Sequence, residues 1–148
     1  MLTAPPRLAA LDVGTRRVGV AVADAGGVAV SPVGTFSPDE AMRVLARMHA
    51  DTPFAAVAIG WPFEAGGVEG AQVERVRPWL GRVRRALPGV AVVPVDERHP
   101  TREARAVLHE GGAGRRAARR PGMVDAAAAC RILERYVEEQ SEAGAGGG

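Results

Sequence analysis

Apolar positions along the chain fall into two spacings, and the switch between them outlines the elements. Arg7 to Val13 is a short apolar run that breaks at a turn-forming Gly14-Thr15, which predicts a buried strand. Arg17 to Asp24 alternates and predicts a second strand; Gly26-Gly27 gives a hairpin, and Val28 to Thr35 a third strand. Three strands joined this closely form an antiparallel meander. Ser37-Pro38-Asp39-Glu40 then opens a helix, with Ser37 as cap, Pro38 at the first helical position and Glu40 completing a capping box. Ala41, Val44, Leu45 and Met48 recur at helical spacing as its buried stripe.

Ala55 to Gly60 is wholly apolar, as a central parallel strand covered on both faces must be, and Trp61-Pro62 ends it. After a glycine-rich loop from Glu64 to Gly70, the residues Val73, Val76, Leu80, Val83 and Leu87 mark a second helix, with a kink or break expected at Pro78. Val90 to Val95 is another buried strand, followed by Asp96-Glu97-Arg98. A helix over Thr101 to Glu110, a basic loop from Ala113 to Arg120 and a last helix from about Met123 to Gln140 complete the pattern. The fold class is therefore α/β: a mixed five-stranded sheet, three meander strands plus two parallel ones, flanked by helices. Residues 1–140 read as one domain, and 141–148 as a disordered Gly/Ala-rich tail.

Composition narrows this only slightly. A hydrophobic fraction of 47% over 148 residues suits one packed domain. No apolar run approaches the roughly 20 residues of a membrane span, and the first residues lack a signal-peptide pattern, so the expectation is a cytoplasmic protein without a membrane partner. The single cysteine, Cys130, excludes an intramolecular disulfide and a four-thiolate zinc site; within an Ala-rich helix it reads as a small core residue. Net charge is +2, and all the basic residues except His are Arg, which reads as codon bias except where they cluster.

Carboxylates change the picture more. Asp12 ends the first strand and Glu97 follows the last, and sites in open α/β sheets form outside the carboxyl ends of strands. Both acids follow apolar runs, where a carboxylate needs a partner; a divalent cation can serve several at once. Along the last helix, Asp125 shares its angular position with Ala129, Ile132 and Tyr136, the apolar stripe. An inward Asp at a helix start is a cap or a site residue, and with Asp12 and Glu97 at a sheet end three convergent carboxylates account for it better. Asp96 competes with Glu97, since neighbouring side chains on a strand face opposite ways and only one can face a metal.

In order along the chain stand Leu11-Asp12-Val13-Gly14-Thr15-Arg16-Arg17-Val18-Gly19-Val20-Ala21, Ile59-Gly60-Trp61-Pro62, Glu69-Gly70, Asp96-Glu97-Arg98 with Thr101 and Glu103-Ala104, and Val124-Asp125 with Ala127-Ala128. Taken together they resemble the YqgF/RuvX family of RNase H-like nucleases, from Leu8 to about Tyr136. The resemblance implies an RNase H-like fold, acid and metal-ligand roles for Asp12, Glu97 and Asp125, Mg²⁺ or Mn²⁺ as cofactor, and hydrolysis of phosphodiesters. It implies phosphate contacts from the Gly14 and Thr15 backbone and from Arg16 or Arg98. Arg115, Arg116, Arg119 and Arg120, just before the Asp125 helix, read as further nucleic-acid contacts. The chain departs from the family at Ala65-Gly66-Gly67-Val68, at His99-Pro100 and at Ala126, none of which touches the three acids.

For such a family the implied role is maturation of the 5′ end of pre-16S rRNA by an endonuclease, with Holliday junction resolution in DNA repair and recombination as the alternative. RNA and branched DNA are thus both candidate partners, and a homodimer is possible. Asp-Val-Gly-Thr also resembles the first phosphate motif of actin-type phosphotransferases, but that architecture needs a second related domain for which 148 residues leave no room. A catalytically silent binding module is the third reading, opposed by the presence of all three acids. Trp61 and Trp79 read as packing residues rather than base-stacking ones, His49 and His109 as structural, His99 as a loop residue, and Arg82, Arg84 and Arg85 as a solvated face.

Overall fold

The computed structural model describes residues 7–24, 29–62, 72–96 and 124–146. Five strands form one sheet: β1 (Arg7–Val13), β2 (Val18–Ala23), β3 (Val30–Phe36), β4 (Phe54–Trp61) and β5 (Ala91–Asp96). Their spatial order is β3-β2-β1-β4-β5. β1 pairs antiparallel with β2 and β2 with β3, while β1–β4 and β4–β5 are parallel. This is the expected meander extended by two parallel strands. Both edge strands carry a proline, Pro32 in β3 and Pro94 in β5, at the only kind of strand where a missing N–H is tolerated. β3 also shifts register between Val20 and Ala21 of its neighbour, which bends the edge.

Alternation along the strands divides the core in two. Leu11, Val13, Val18, Val20, Val57, Ile59 and Trp61 face the helices α1 (Pro38–Asp51) and α2 (Val73–Ala86). Ala10, Ala21, Ala23, Ala56, Ala58 and Val95 face α3 (Val124–Gly146) and meet its Ala129, Cys130, Ile132, Leu133 and Tyr136. Alanines on this second face let α3 approach closely, while the bulkier first face holds two helices apart from the sheet.

α1 begins as expected, with Ser37 Oγ accepting from the Glu40 N–H at 3.3 Å. The Glu40 carboxylate, however, accepts from the Ser37 hydroxyl at 3.1 Å, where a full capping box would place the Ser37 N–H. At the other end of α1, Arg7 Nη2 donates to the carbonyls of Met48 (2.8 Å) and of the C-cap residue Thr52 (3.2 Å), so the first residue of β1 ties down the end of the helix. Its guanidinium also stands 5.2 Å from the Phe54 ring centroid. His49 is structural, its Nδ1 accepting from the Phe54 N–H at 3.1 Å.

α2 continues through Pro78 without the break that was one of the two expected outcomes; Pro78 lies on the exposed face, where water can serve the carbonyl that its missing N–H leaves unpaired. Two expectations need correction. Arg82 is not simply solvated: it bonds Asp39 of α1 at 2.6 Å and covers the Trp79 ring at 5.0 Å. Where composition predicts a disordered tail from Ser141, α3 continues to Gly146, since Glu142, Ala143 and Ala145 favour helix and no proline intervenes. The expected helix over Thr101 to Glu110, the Gly26-Gly27 turn and the loops 64–70 and 113–120 lie outside the described residues. Among the described residues no helix is long and apolar enough to cross a membrane.

Candidate active site

Asp12 is the next-to-last residue of β1, the middle strand of the sheet, and is half-buried. Leu8 and Ala10 of the same strand pack with α3, so alternation places Asp12 on the α3 face. Directly opposite it in the register stands Gly19 of β2, and opposite Gly19 stands Thr35 of β3. On its other side, the parallel register passes through Leu11↔Ile59, so the next step sets Gly60 of β4 beside Asp12. Gly60 in turn pairs with Val95 of β5. The carboxylate therefore stands in a cross-sheet row with a glycine on each side. Neither neighbouring strand sends a side chain across the space next to it. Sequence reading quoted Gly19 and Gly60 in its motifs but could not set them beside Asp12, because a row across strands depends on register, which adjacent residues do not encode.

The turn after Asp12 is tightly built. The Gly14 N–H donates to the Arg17 carbonyl at 2.8 Å, closing the β1–β2 connection. A Cβ added at Gly14 would lie 2.9 Å from that same carbonyl oxygen, so glycine is required by close approach of backbone. The Gly14 N–H is thus engaged inside the turn. Thr15, Arg16 and Arg17 are exposed at the tip.

Asp96, the last residue of β5, pairs in register with Trp61 and so lies on the α1/α2 face, opposite to that of Asp12. Asp125 belongs to the first turn of α3, the helix that covers the Asp12 face. The residues that share its angular position, Ala129, Ile132 and Tyr136, are all buried as expected. The side chain of Asp125, and all of Glu97, Arg98, Arg115, Arg116, Arg119 and Arg120, lie outside the described residues. Among the described residues no three His, Cys, Asp or Glu side chains converge. Trp61 and Trp79 are both core residues, and Cys130 is fully buried.

A hard carboxylate oxygen at a strand end suits a divalent cation in donor type, and the glycines at the neighbouring register positions add no side chain to its row. A sheet of this order, three meander strands extended by two parallel ones and covered by helices on both faces, is the RNase H-like fold. Structural comparison agrees: the chain superposes on Thermus thermophilus RuvC, solved alone (TM-score 0.57, 20% identity) and with a Holliday junction substrate (TM-score 0.58, 18% identity). Each match covers 92% of this chain and 96% of the other. The family model described as "RuvX: Holliday junction resolvase" matches residues 6–139, and the chain belongs to that family. It is accordingly a nuclease. Two relatives named "Putative pre-16S rRNA nuclease" are similar over nearly their whole length. The one from Salinibacter ruber is 38% identical over 92% of this chain and 95% of its own. The one from Chlorobium luteolum is 39% identical over 90% and 94%.

Proposed function

We propose that this nuclease is a metal-dependent endonuclease that hydrolyses phosphodiesters of structured nucleic acid during maturation of the 5′ end of pre-16S rRNA. The observation that carries the reading is the glycine-flanked Asp12 at the carboxyl end of β1, on the sheet face over which α3 begins with Val124-Asp125. Asp12 and Asp125 are two of the acids. Asp96 lies on the opposite face, which favours Glu97 as the third. These three would hold Mg²⁺ or Mn²⁺, which when bound supplies an activated water and charge stabilisation at the leaving oxygen. The chain's own part is to fix the acids on a rigid strand end and helix start, and to keep the space beside Asp12 clear for a phosphodiester. The arginines of the β1–β2 turn, with Arg98 and the 115–120 cluster, would hold the strand by its phosphates.

Support for the ribosomal substrate comes from the names of the relatives at 38% and 39% identity. A second reading, cleavage of branched DNA, is favoured by the family description and by the resolvase-like fold. The test is direct cleavage by purified protein with Mn²⁺ or Mg²⁺ on pre-16S leader fragments and on Holliday junctions in parallel. Specific cleavage of the leader at the mature 5′ end supports the first reading; cleavage confined to junctions replaces it with the second.

A further inference from the structure

Beside the β1–β2 turn is an open cleft of about 370 Å³ lined by Arg16, Arg17, Thr35, Phe36, Ser37 and Glu40. Thr35 turns its side chain to the α3 face, so the side chains of the cleft are the other five. We propose that this cleft is a nucleobase subsite that selects an unpaired guanine of the substrate, with Phe36 as the stacking surface and Glu40 as the reader of the base edge. The proposal rests on the nucleic-acid reading above and adds base selection to it, which phosphate contacts carry no information to give.

The cleft carries charge of both signs, and the charges do not neutralise one another. Arg16, Arg17 and Glu40 are all exposed, and among the described residues none of them forms an ion pair. A site for phosphate alone would not keep a carboxylate beside its guanidiniums, because a phosphate next to Glu is repelled. A nucleotide that turns its hydrogen-bond donors to Glu40 and its phosphate away from it satisfies both signs. The carboxylate is also held in place: Ser37 Oγ accepts from the Glu40 N–H at 3.3 Å, and the Ser37 hydroxyl donates to Glu40 Oε1 at 3.1 Å. That bond uses one of about four lone-pair sites on the carboxylate. Among the common bases only guanine presents adjacent donors, N1–H and the N2 amino group, on its Watson–Crick edge, so the carboxylate oxygens accept from it side by side. Adenine, cytosine and uracil each turn a ring nitrogen or carbonyl acceptor toward the carboxylate as well. Phe36 supplies the third element. It is partly buried against the core, and its ring lies back over Gly34, where a Cβ would stand 2.9 Å from Phe36 Cζ. An aromatic ring fixed in this way is a stacking surface for a base.

Position makes this a flanking nucleotide rather than the one being cut. Phe36 pairs in register with Val18, and Val18 with Val13, the residue after Asp12. Two strand spacings make that about 10 Å across the sheet. Phe36 shares the α1 face with Val13, whereas Asp12 faces α3, so the exposed turn at Thr15, Arg16 and Arg17 stands between the cleft and Asp12. A strand crossing that turn would set one base in the cleft while another nucleotide meets the acids. Because a Watson–Crick edge is free only in an unpaired or splayed-out nucleotide, the site selects structure as well as base.

The test measures binding apart from cleavage. Fluorescent single-stranded RNA oligonucleotides, all uridine or with one central guanosine, inosine, adenosine or cytidine, are titrated with the full chain in EDTA at one salt concentration, and cleavage is followed separately with Mn²⁺. The wild type binds the guanosine oligonucleotide about 5-fold or more tighter than the all-uridine, adenosine and cytidine ones, the low end for a two-bond base contact. Inosine, which lacks the N2 amino group, falls between. In Glu40→Gln the preference for guanosine disappears, while affinity for the all-uridine oligonucleotide holds or rises because a negative charge has gone. In Phe36→Leu, affinity falls about 5-fold or more for every oligonucleotide, the low end for one stacked base. Circular dichroism checks that both variants fold. A wild type that does not distinguish guanosine, or a guanosine preference that survives in folded Glu40→Gln, overturns the subsite and leaves the nuclease reading standing. The stated preference in a protein that cleaves nothing with metal supports the subsite and overturns the catalytic reading. A wild-type chain that binds none of the oligonucleotides overturns both.

Discussion

Gly14→Ala tests whether the turn that follows Asp12 is as tight as its geometry. The new Cβ would lie 2.9 Å from the Arg17 carbonyl oxygen, where ordinary contact begins at 3.4 Å. The carbonyl must therefore retreat by about 0.5 Å, and overpacking of this size costs about 1–3 kcal/mol. The same movement stretches the 2.8 Å bond from the Gly14 N–H toward the limit of a useful hydrogen bond. Working in the other direction, replacing Gly by Ala restricts the unfolded chain and returns about 0.4–1 kcal/mol. The net loss is about 1–2 kcal/mol. At about 2–4 °C per kcal/mol for a chain of this size, Tm falls by about 2–8 °C. Thermal denaturation followed by circular dichroism measures it, with Gly81→Ala as the comparison. Gly81 lies within α2, and its Cβ would meet only the mobile end of Arg85 at 3.2 Å, so helix propensity dominates and Tm rises. A Gly14→Ala protein with unchanged or raised Tm would refute the reasoning, since the entropy term would then stand unopposed.

Two other changes follow from the same packing. Arg7→Met keeps the stem against Phe54 but removes both bonds to the Met48 and Thr52 carbonyls, and chemical denaturation should show a loss of about 1–3 kcal/mol. Pro78→Ala restores the N–H missing from the exposed face of α2; a gain of about 2–2.6 kcal/mol is expected after the lost rigidity of the unfolded chain is subtracted, and a fall in Tm would contradict this.

Much of the fold was legible because its signals are local. The unbroken Ala55 to Gly60 run reads as a strand covered twice, which holds from Ala56 onward, Ala55 being exposed, and Ser37-Pro38 opens a helix as read. The stripe on α3 was legible from 3.6-residue spacing alone, since Ala129, Ile132 and Tyr136 are one angular group. What escaped was set by distant partners. Arg82 finds Asp39 across 43 residues, and Gly19 and Gly60 acquire meaning only once β2, β1 and β4 are in register around Asp12. Pro78 looked disruptive because of its chemistry, although the stripe Val73, Val76, Leu80, Val83 and Leu87 already set it on the opposite, exposed face. Asp12 itself was legible as an acid at a strand end; the clearance around it was not.

The central claim is that Asp12 is an acid of the metal site rather than a structural residue, and Asp12→Asn measures it. The carboxamide has nearly the same shape, so folding and oligonucleotide binding in EDTA should persist. Cleavage with Mn²⁺ should fall by more than about a hundredfold, since even outer partners of a catalytic metal are worth about 10- to 100-fold. Wild-type cleavage by a folded Asp12→Asn protein would contradict the account.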